Sequence, residues 1–224
     1  MIDNREDFKL MRERYSTRFL NFGYSEKAVG WGDKGRQRLR YEVLLSYWGP
    51  CDGLSIVDLG AGFGDGCKPF FDCGGGHYLG LEFLTEFVEI GKKQFINYGE
   101  KFELCQSNIG ELEIFPEADL IIGSGLFNSK FKSSDNYEFI EETLFKAFSA
   151  CKKGISFNFL SDKTDYKEQY IFYSDLTKIS NIVEKLSRNF CIKKDYFPFE
   201  FSIYINKNES FNKETSTFNN PKFK

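Results

Sequence analysis

Residues 55–65 read Ser55-Ile56-Val57-Asp58-Leu59-Gly60-Ala61-Gly62-Phe63-Gly64-Asp65, and this stretch decides the fold of the chain. Its apolar beginning is typical of a buried strand, and glycine then occupies every second position three times. Because glycine has no Cβ, a ligand can lie directly against the backbone of such a turn. The following residues are compatible with a helix, so the stretch predicts a strand, a ligand-binding turn and a helix in succession.

The glycine spacing separates two classes of cofactor turn. The dinucleotide fingerprint G-x-G-x-x-G needs its third glycine three residues after the second. That position falls on Asp65 when the count starts at Gly60, and on Cys67 when it starts at Gly62. A dinucleotide site is therefore disfavoured, and a nucleotide-dependent oxidoreductase remains only as an alternative function.

The pattern present instead is an acidic residue, Asp58, two positions before G-x-G-x-G. It resembles motif I of the class I S-adenosylmethionine (SAM) methyltransferases. The resemblance implies SAM as the cofactor, with Gly60, Ala61 and Gly62 close beneath its methionine part. It also implies that Asp58 orients that part, through its amino group or a water molecule.

Composition and charge limit the other functional classes. The chain has 224 residues, 41% of them hydrophobic, with 26 phenylalanines, which is enough for one domain with a sizeable core. Its formal net charge of −3, with acids and bases interspersed, lacks the basic excess typical of nucleic-acid binding. A nucleic-acid partner is therefore disfavoured, although a local basic patch would be compatible with this total.

The cysteines and the hydropathy pattern indicate a soluble cytoplasmic protein. Six cysteines occur without a C-x-x-C pair, which favours reduced thiols, and His77 is the only histidine, so no metal site is expected. The first residues are charged where a signal peptide would be apolar. No apolar run approaches the roughly 20 residues that span a bilayer.

Strand and helix patterns alternate along the chain. This alternation predicts an α/β fold with a doubly wound, mostly parallel, seven-stranded Rossmann-like sheet whose last strand is antiparallel. The predicted strands cover 56–59, 78–81, 102–106, 119–123, 154–160, 190–196 and 200–205. The predicted helices cover 5–20, 34–47, a segment after Gly64, 85–98, 138–151 and a last one that Ser174 caps.

The predicted helices and strands divide the chain into three parts. Residues 1–50 form an N-terminal helical cap over the cofactor site, and residues 51–205 form the SAM-binding domain. Residues 206–224 are rich in Asn, Lys and Ser without periodicity, so we expect a flexible tail.

The resemblance places further cofactor contacts after the second and third strands. Glu82 ends the second predicted strand, where a carboxylate can accept hydrogen bonds from both ribose hydroxyls, and Phe83 adjoins it. After the third strand the family usually carries an aspartate facing the adenine amino group. Here Asn108 occupies that place, beside Ile109, so it either accepts from the amine or simply caps a turn.

The segment after the fourth strand, Gly-Ser-Gly-Leu-Phe-Asn at 123–128, narrows the class of acceptor. It lacks the [DN]-P-P-[YF] pattern of amino methyltransferases and the Pro-Cys nucleophile of cytosine methylation. It is similar to a run in methyltransferases of surface-polysaccharide and small-metabolite pathways, as are the residues at 28–31 and 157–161. Ser124 and Gly125 join the implied cofactor site.

The same subgroup resemblance implies roles for two N-terminal residues. Arg40 would pair with the methionine carboxylate, and Trp31 would wall the site against water. The residues alone equally allow Arg40 to be an ordinary helix residue and Trp31 to anchor the first helix.

The expected reaction is transfer of a methyl group to a small polar acceptor, namely oxygen on a sugar or sugar-linked group. An oxygen nucleophile needs a base, and the loop over 161–170 after the fifth strand is the expected acceptor contact. The candidate bases by loop position are Asp33, Asp65, Asp162, Asp165 and Tyr166. Because none of them is compelling, a non-catalytic partner protein with the SAM-binding fold remains the other alternative.

Overall fold

The computed structural model describes residues 4–30 and 35–208. Within these ranges the helices are α1 (Arg5–Phe22), α2 (Arg36–Ser46), α3 (Cys67–Asp72), α4 (Thr85–Gln94), α5 (Asn136–Ala150) and α6 (Leu176–Leu186). The strands are β1 (Ser55–Leu59), β2 (His77–Glu82), β3 (Phe102–Gln106), β4 (Ala118–Gly123), β5 (Cys151–Leu160), β6 (Phe190–Lys193) and β7 (Glu200–Asn206). No helix in the described ranges is long and apolar enough to cross a membrane.

The strands form one seven-stranded sheet in the order β3-β2-β1-β4-β5-β7-β6. Neighbouring strands are parallel except around β7, which is antiparallel to both β5 and β6. The prediction of a doubly wound, mostly parallel sheet with an antiparallel last strand is therefore confirmed. Strand order reverses between β1 and β4, and ligands bind in such sheets at the carboxyl ends beside this reversal.

Successive side chains of β1 point to opposite faces of the sheet and pack in different parts of the hydrophobic core. Val57 packs in the cluster that contains the apolar residues of α5 and α6. Its neighbour Ile56 points to the opposite face, in the cluster built with α2 and α3. Asp58 shares the side of Ile56, and this placement matters for the site.

Two predicted helix boundaries are wrong. The helix predicted over 85–98 ends at Gln94, because Phe95 leaves helical geometry and packs against Phe102, with ring centroids 5.2 Å apart. A short 3-10 segment, Ile96–Lys101, follows it. The last helix is capped by Asp175, whose carboxylate accepts from the Thr177 N–H at 2.7 Å. Ser174 is instead buried in the preceding chain segment.

Candidate functional site

A cavity of about 750 Å³ lies at the carboxyl ends of the central strands. Its size is that of a small-molecule or cofactor site. Most of the residues that the sequence predicts to bind the cofactor line this cavity. They are Gly60, Ala61, Gly62, Glu82, Phe83, Ile109, Ser124, Gly125 and Arg40. Trp31 and Asp33 lie outside the described residues.

The glycine turn after β1 forms the floor of the cavity. Gly60 and Gly62 have φ of 70° and 59°, a conformation that side chains with a Cβ rarely adopt. The N–H groups of Gly60 and Ala61 both donate to the Leu81 carbonyl, which fastens the turn to β2. A Cβ on Gly60 would approach Leu126 Cδ1 to 2.9 Å, so glycine is also required for space.

Glu82 connects the end of β2 to this turn. Its side chain is buried and lines the cavity, with Oε2 accepting from Gly62 N at 2.9 Å and Oε1 from Leu84 N at 2.9 Å. Burial raises the pKa of the carboxyl group to about 7, against the opposing effect of these N–H donors. Each carboxylate oxygen has a second lone pair, so Glu82 can still accept hydrogen bonds from a ligand.

Asp58 lies beneath the turn and does not line the cavity. Because it shares the face of Ile56, its side chain points to the side of the sheet that α2 covers, and its Oδ2 accepts from the hydroxyl of Tyr78 in β2 at 2.6 Å. Burial raises its pKa to about 7, while hydrogen bonds from Tyr78 and Tyr41 oppose the rise. Asp58 therefore lies under the turn, where the Tyr78 hydroxyl holds it, and its role toward the methionine stays a prediction.

Asn108 forms hydrogen bonds within the turn that follows β3. Its Nδ2 donates to Glu111 Oε1 at 2.8 Å, and its Oδ1 accepts from Gly110 N at 3.1 Å. It caps this turn outside the cavity lining, whereas Ser107 and Ile109 on either side of it line the cavity. These contacts are those expected of a turn residue, and the adenine contact of Asn108 stays a prediction.

Ser124 is the polar side chain that most directly indicates a ligand. It is 8% exposed and lines the cavity, and its Oγ has no hydrogen-bond partner within the described chain. Such buried unsatisfied groups are rare in native proteins unless a ligand or water completes them. The adjacent Gly125 is fixed by its N–H, which donates to Asn158 Oδ1 at 2.7 Å.

Arg40 lines the cavity but pairs within the protein. Its Nε donates to Glu200 Oε2 at 2.7 Å, and its Nη2 donates to Glu200 Oε1. Both side chains are buried, and the ring of Phe197 lies 4.9 Å from the guanidinium carbon. The structure therefore assigns the guanidinium of Arg40 to Glu200, a residue that sequence reasoning did not select because it is 160 positions away.

The candidate bases lie away from the cavity where the structure describes them. Asp65 accepts from the Tyr24 hydroxyl at 2.9 Å, and neither it nor Asp162, Asp165 or Tyr166 lines the cavity. The predicted acceptor loop does reach the cavity, through Thr164, Glu168 and Tyr170. Glu168 is the carboxylate of that loop that sequence reasoning missed, although the loop itself was selected.

Helix α1 forms a wall of the cavity with Phe8, Met11, Arg14, Tyr15, Arg18 and Phe22. Its first turn is anchored by Asp7, whose carboxylate accepts from the N–H groups of 132–134 and from the Ser134 hydroxyl. Farther along, Arg14 donates to Ser129 Oγ at 2.5 Å and to the Tyr170 carbonyl at 3.3 Å. The only signal of these contacts in the sequence was the apolar stripe of the first helix.

Comparison with known proteins supports the same architecture. No protein-family model matches the chain. A Mycobacterium tuberculosis protein that is provisionally named a methyltransferase is 29% identical over 163 residues, which cover 70% of this chain and 95% of that protein.

Two solved structures share the fold. Magnesium protoporphyrin IX methyltransferase of Synechocystis, with bound S-adenosylhomocysteine (SAH), gives a TM-score of 0.68 at 14% identity, over 90% of this chain and all of that one. The 1,6-didemethyltoxoflavin-N1-methyltransferase of Burkholderia thailandensis, with bound 1,6-didemethyltoxoflavin and SAH, gives a TM-score of 0.65 at 11% identity. The match covers 92% of this chain and 90% of that one. The chain therefore has the fold of the class I SAM-dependent methyltransferases.

Proposed function

We propose that this protein is a SAM-dependent methyltransferase that acts on a small polar acceptor. The methyl group is transferred to an oxygen of a sugar or sugar-linked group. The observation that carries the proposal is the position of Glu82: a buried carboxylate at the end of β2, bonded to the glycine turn and facing the cavity. The relative and the structural neighbours support the methyltransferase activity. The sugar acceptor rests on the sequence stretches at 123–128 and 157–161.

The cofactor roles follow from the lining of the cavity. Glu82 would accept from the ribose hydroxyls, and Phe83 and Ile109 would enclose the adenine. The methionine part would lie over Gly60–Gly62, and the Ser124 hydroxyl would gain a partner from the bound cofactor. We also propose that the protein works in the cytoplasm, which its six free cysteines support.

In the proposed reaction, an oxygen of the acceptor attacks the SAM methyl group in line with the departing sulfur. A C–O bond forms, the C–S bond breaks with its electron pair going to sulfur, and the acceptor loses a proton. The protein mainly aligns the reactants and excludes water. Glu168 is the cavity carboxylate best placed to take the proton, because Glu200 is bound by Arg40 and Glu82 faces the ribose.

Calorimetric titration with SAH, followed by methyl transfer from labelled SAM to nucleotide-sugar acceptors, tests the proposal. We expect saturable 1:1 binding of SAH and transfer of label to an acceptor. Binding of NADH in place of SAH would instead favour the oxidoreductase. Binding of SAH without transfer to any acceptor would favour a non-catalytic protein.

Substitution of Gly62 with alanine is expected to weaken SAH binding at least about tenfold, because a Cβ strains the turn beneath the methionine and approaches Val29 Cγ1 to 3.1 Å. Gly99→Ala is the matched control. Gly99 has a similar φ of 58° with nothing within 4 Å of its Cβ position, and it does not line the cavity. Titration of both variants should show the loss only in Gly62→Ala, and equal losses would contradict the assignment of the turn.

The raised pKa of Glu82 predicts that SAH binds more tightly at higher pH. Its carboxyl group keeps its proton up to about pH 7 in the folded protein, whereas its ordinary value is 4.5. The free energy of unfolding of the unliganded protein therefore falls as the pH rises from 4.5 to about 7. Ribose hydroxyls donate to the ionised form, so affinity should rise about tenfold between pH 6 and pH 8.

Calorimetry of SAH binding at the two pH values measures this change. In Glu82→Gln, which cannot ionise, the residual affinity should be independent of pH over this range. The same pH dependence in that variant would show that another group is responsible.

A further inference from the structure

The cavity is rich in cationic side chains. Among the described residues, the cavity is lined by Arg14, Arg18, Lys27, Arg36 and Arg40, and by the carboxylates of Glu82, Glu168 and Glu200. The whole chain, by contrast, carries a formal net charge of −3. A cleft whose charge is opposite to that of the protein attracts ligands of the opposite sign.

Several of these charges already have identifiable roles. Arg40 forms an ion pair with Glu200. Arg18 donates through Nε to the Lys27 carbonyl, and the segment that includes Lys27 lies against the glycine turn, where Val29 approaches Gly62. Arg18 and Lys27 therefore belong to the segment beside the glycine turn, where the carboxylate of the proposed methionine part needs a cation.

Arg14 has a different environment, one turn earlier on α1. Within the described chain, its guanidinium contacts only neutral groups. It donates to Ser129 Oγ after β4 and to the Tyr170 carbonyl after β5. Its central carbon lies 5.2 Å from the ring centroid of Tyr15 and 5.5 Å from that of Tyr170. No carboxylate in the described chain forms an ion pair with it. A guanidinium presents five N–H donors in a planar fork that fits carboxylate and phosphate groups.

We propose that the acceptor is an anion that contains a ring, and that Arg14 binds its carboxylate or phosphate group. This inference rests on the proposed function and names the substrate class of the same site. The ring of the acceptor stacks among aromatic residues that line the cavity, above all Tyr15 and Tyr170 beside Arg14. The charged group then fixes the orientation in which the acceptor oxygen faces the methyl group.

Calorimetry on the SAH-saturated protein tests this with probes that share a nitrophenyl ring and carry different charged groups or none. The probes are 4-nitrophenyl β-D-glucuronide, the neutral 4-nitrophenyl β-D-glucoside, and 4-nitrophenyl phosphate. We expect the glucuronide or the phosphate to bind at least about tenfold more tightly than the glucoside, the value of one good charge-assisted contact. Whichever anion shows the preference identifies the charged group.

Variants of Arg14 separate ligand binding from support of α1. In Arg14→Gln the preference for the anion should fall to about one, and Arg14→Lys should keep part of it. A purely structural role would weaken the charged and neutral probes equally and leave their ratio unchanged. Arg38→Gln is the matched control, because Arg38 is exposed, bonded to Glu42 and Asp72, and outside the cavity lining.

Each remaining outcome also decides the question. Equal binding of all probes, binding of none of them, or a preference that survives Arg14→Gln would overturn the anionic acceptor while SAH still binds. Failure of SAH itself to bind would instead reject the proposed function.

Discussion

Substitution of Glu82 with alanine is expected to weaken SAH binding by about 100- to 1,000-fold, which corresponds to the loss of two charge-assisted hydrogen bonds. The variant removes the proposed acceptor of both ribose hydroxyls. It also leaves the N–H groups of Gly62 and Leu84 without their partner, so the floor of the cavity loses one of its links to β2. Calorimetric titration measures the change in affinity, and thermal unfolding without ligand measures the structural part separately.

Two further variants calibrate this result. Glu82→Gln keeps the shape of the side chain but turns an amide toward one of the two N–H donors, so we expect an intermediate loss. Glu103→Ala removes an exposed carboxylate from the neighbouring strand β3, 57% exposed, and should leave SAH affinity unchanged. An affinity within about threefold of the natural protein in Glu82→Ala would exclude the ribose role, since even one such bond is stronger than that.

Substitution of Glu200 with alanine is expected to lower the free energy of unfolding by about 3–5 kcal/mol, the usual cost of breaking a buried ion pair from one side. The change takes the bidentate carboxylate away from the Arg40 guanidinium, which is 5% exposed at the residue level and cannot regain full hydration. Chemical denaturation of the unliganded protein measures the difference. The effect should be large because the pair joins the start of β7 to α2, far apart in the sequence.

The exposed pair between Arg38 and Glu42 provides the control for this measurement. Its side chains are 51% and 44% exposed, so Glu42→Ala should cost less than about 1 kcal/mol. The double variant Arg40→Met/Glu200→Leu should recover much of the lost stability, since apolar residues can replace a buried pair. A loss below about 1 kcal/mol in Glu200→Ala would show that the pair is solvated in solution.

The parts of the fold that could be predicted from sequence are those in which neighbouring residues determine the outcome. Strand β3 was predicted with its observed bounds, and the glycine turn was predicted from Gly60 and Gly62, whose φ values depend on local geometry. The end of α4 was predicted too late, because contact of Phe95 with Phe102 decided it. Local propensity carries no information about such a contact.

The candidate site shows the same division. Glu82 was identified because it ends a strand, and the end of a parallel strand fixes its place in the sheet. The inward position of Asp58 depends on which face of β1 meets α2, and the pairing of Arg40 depends on Glu200 at the far end of the chain. Both arrangements depend on the assembled tertiary structure, so a family pattern read along the sequence carries no information about these two sets of hydrogen bonds.

The position of helix α1 has a consequence for the rate of cofactor release. It is held at its first turn by Asp7 and in its middle by Arg14, and it walls the space where the cofactor would lie. We expect release of the spent cofactor to require opening of some of these bonds, and such motions occur on microsecond to millisecond timescales. We therefore expect a rapid first turnover followed by a slower steady state that is limited by release of SAH.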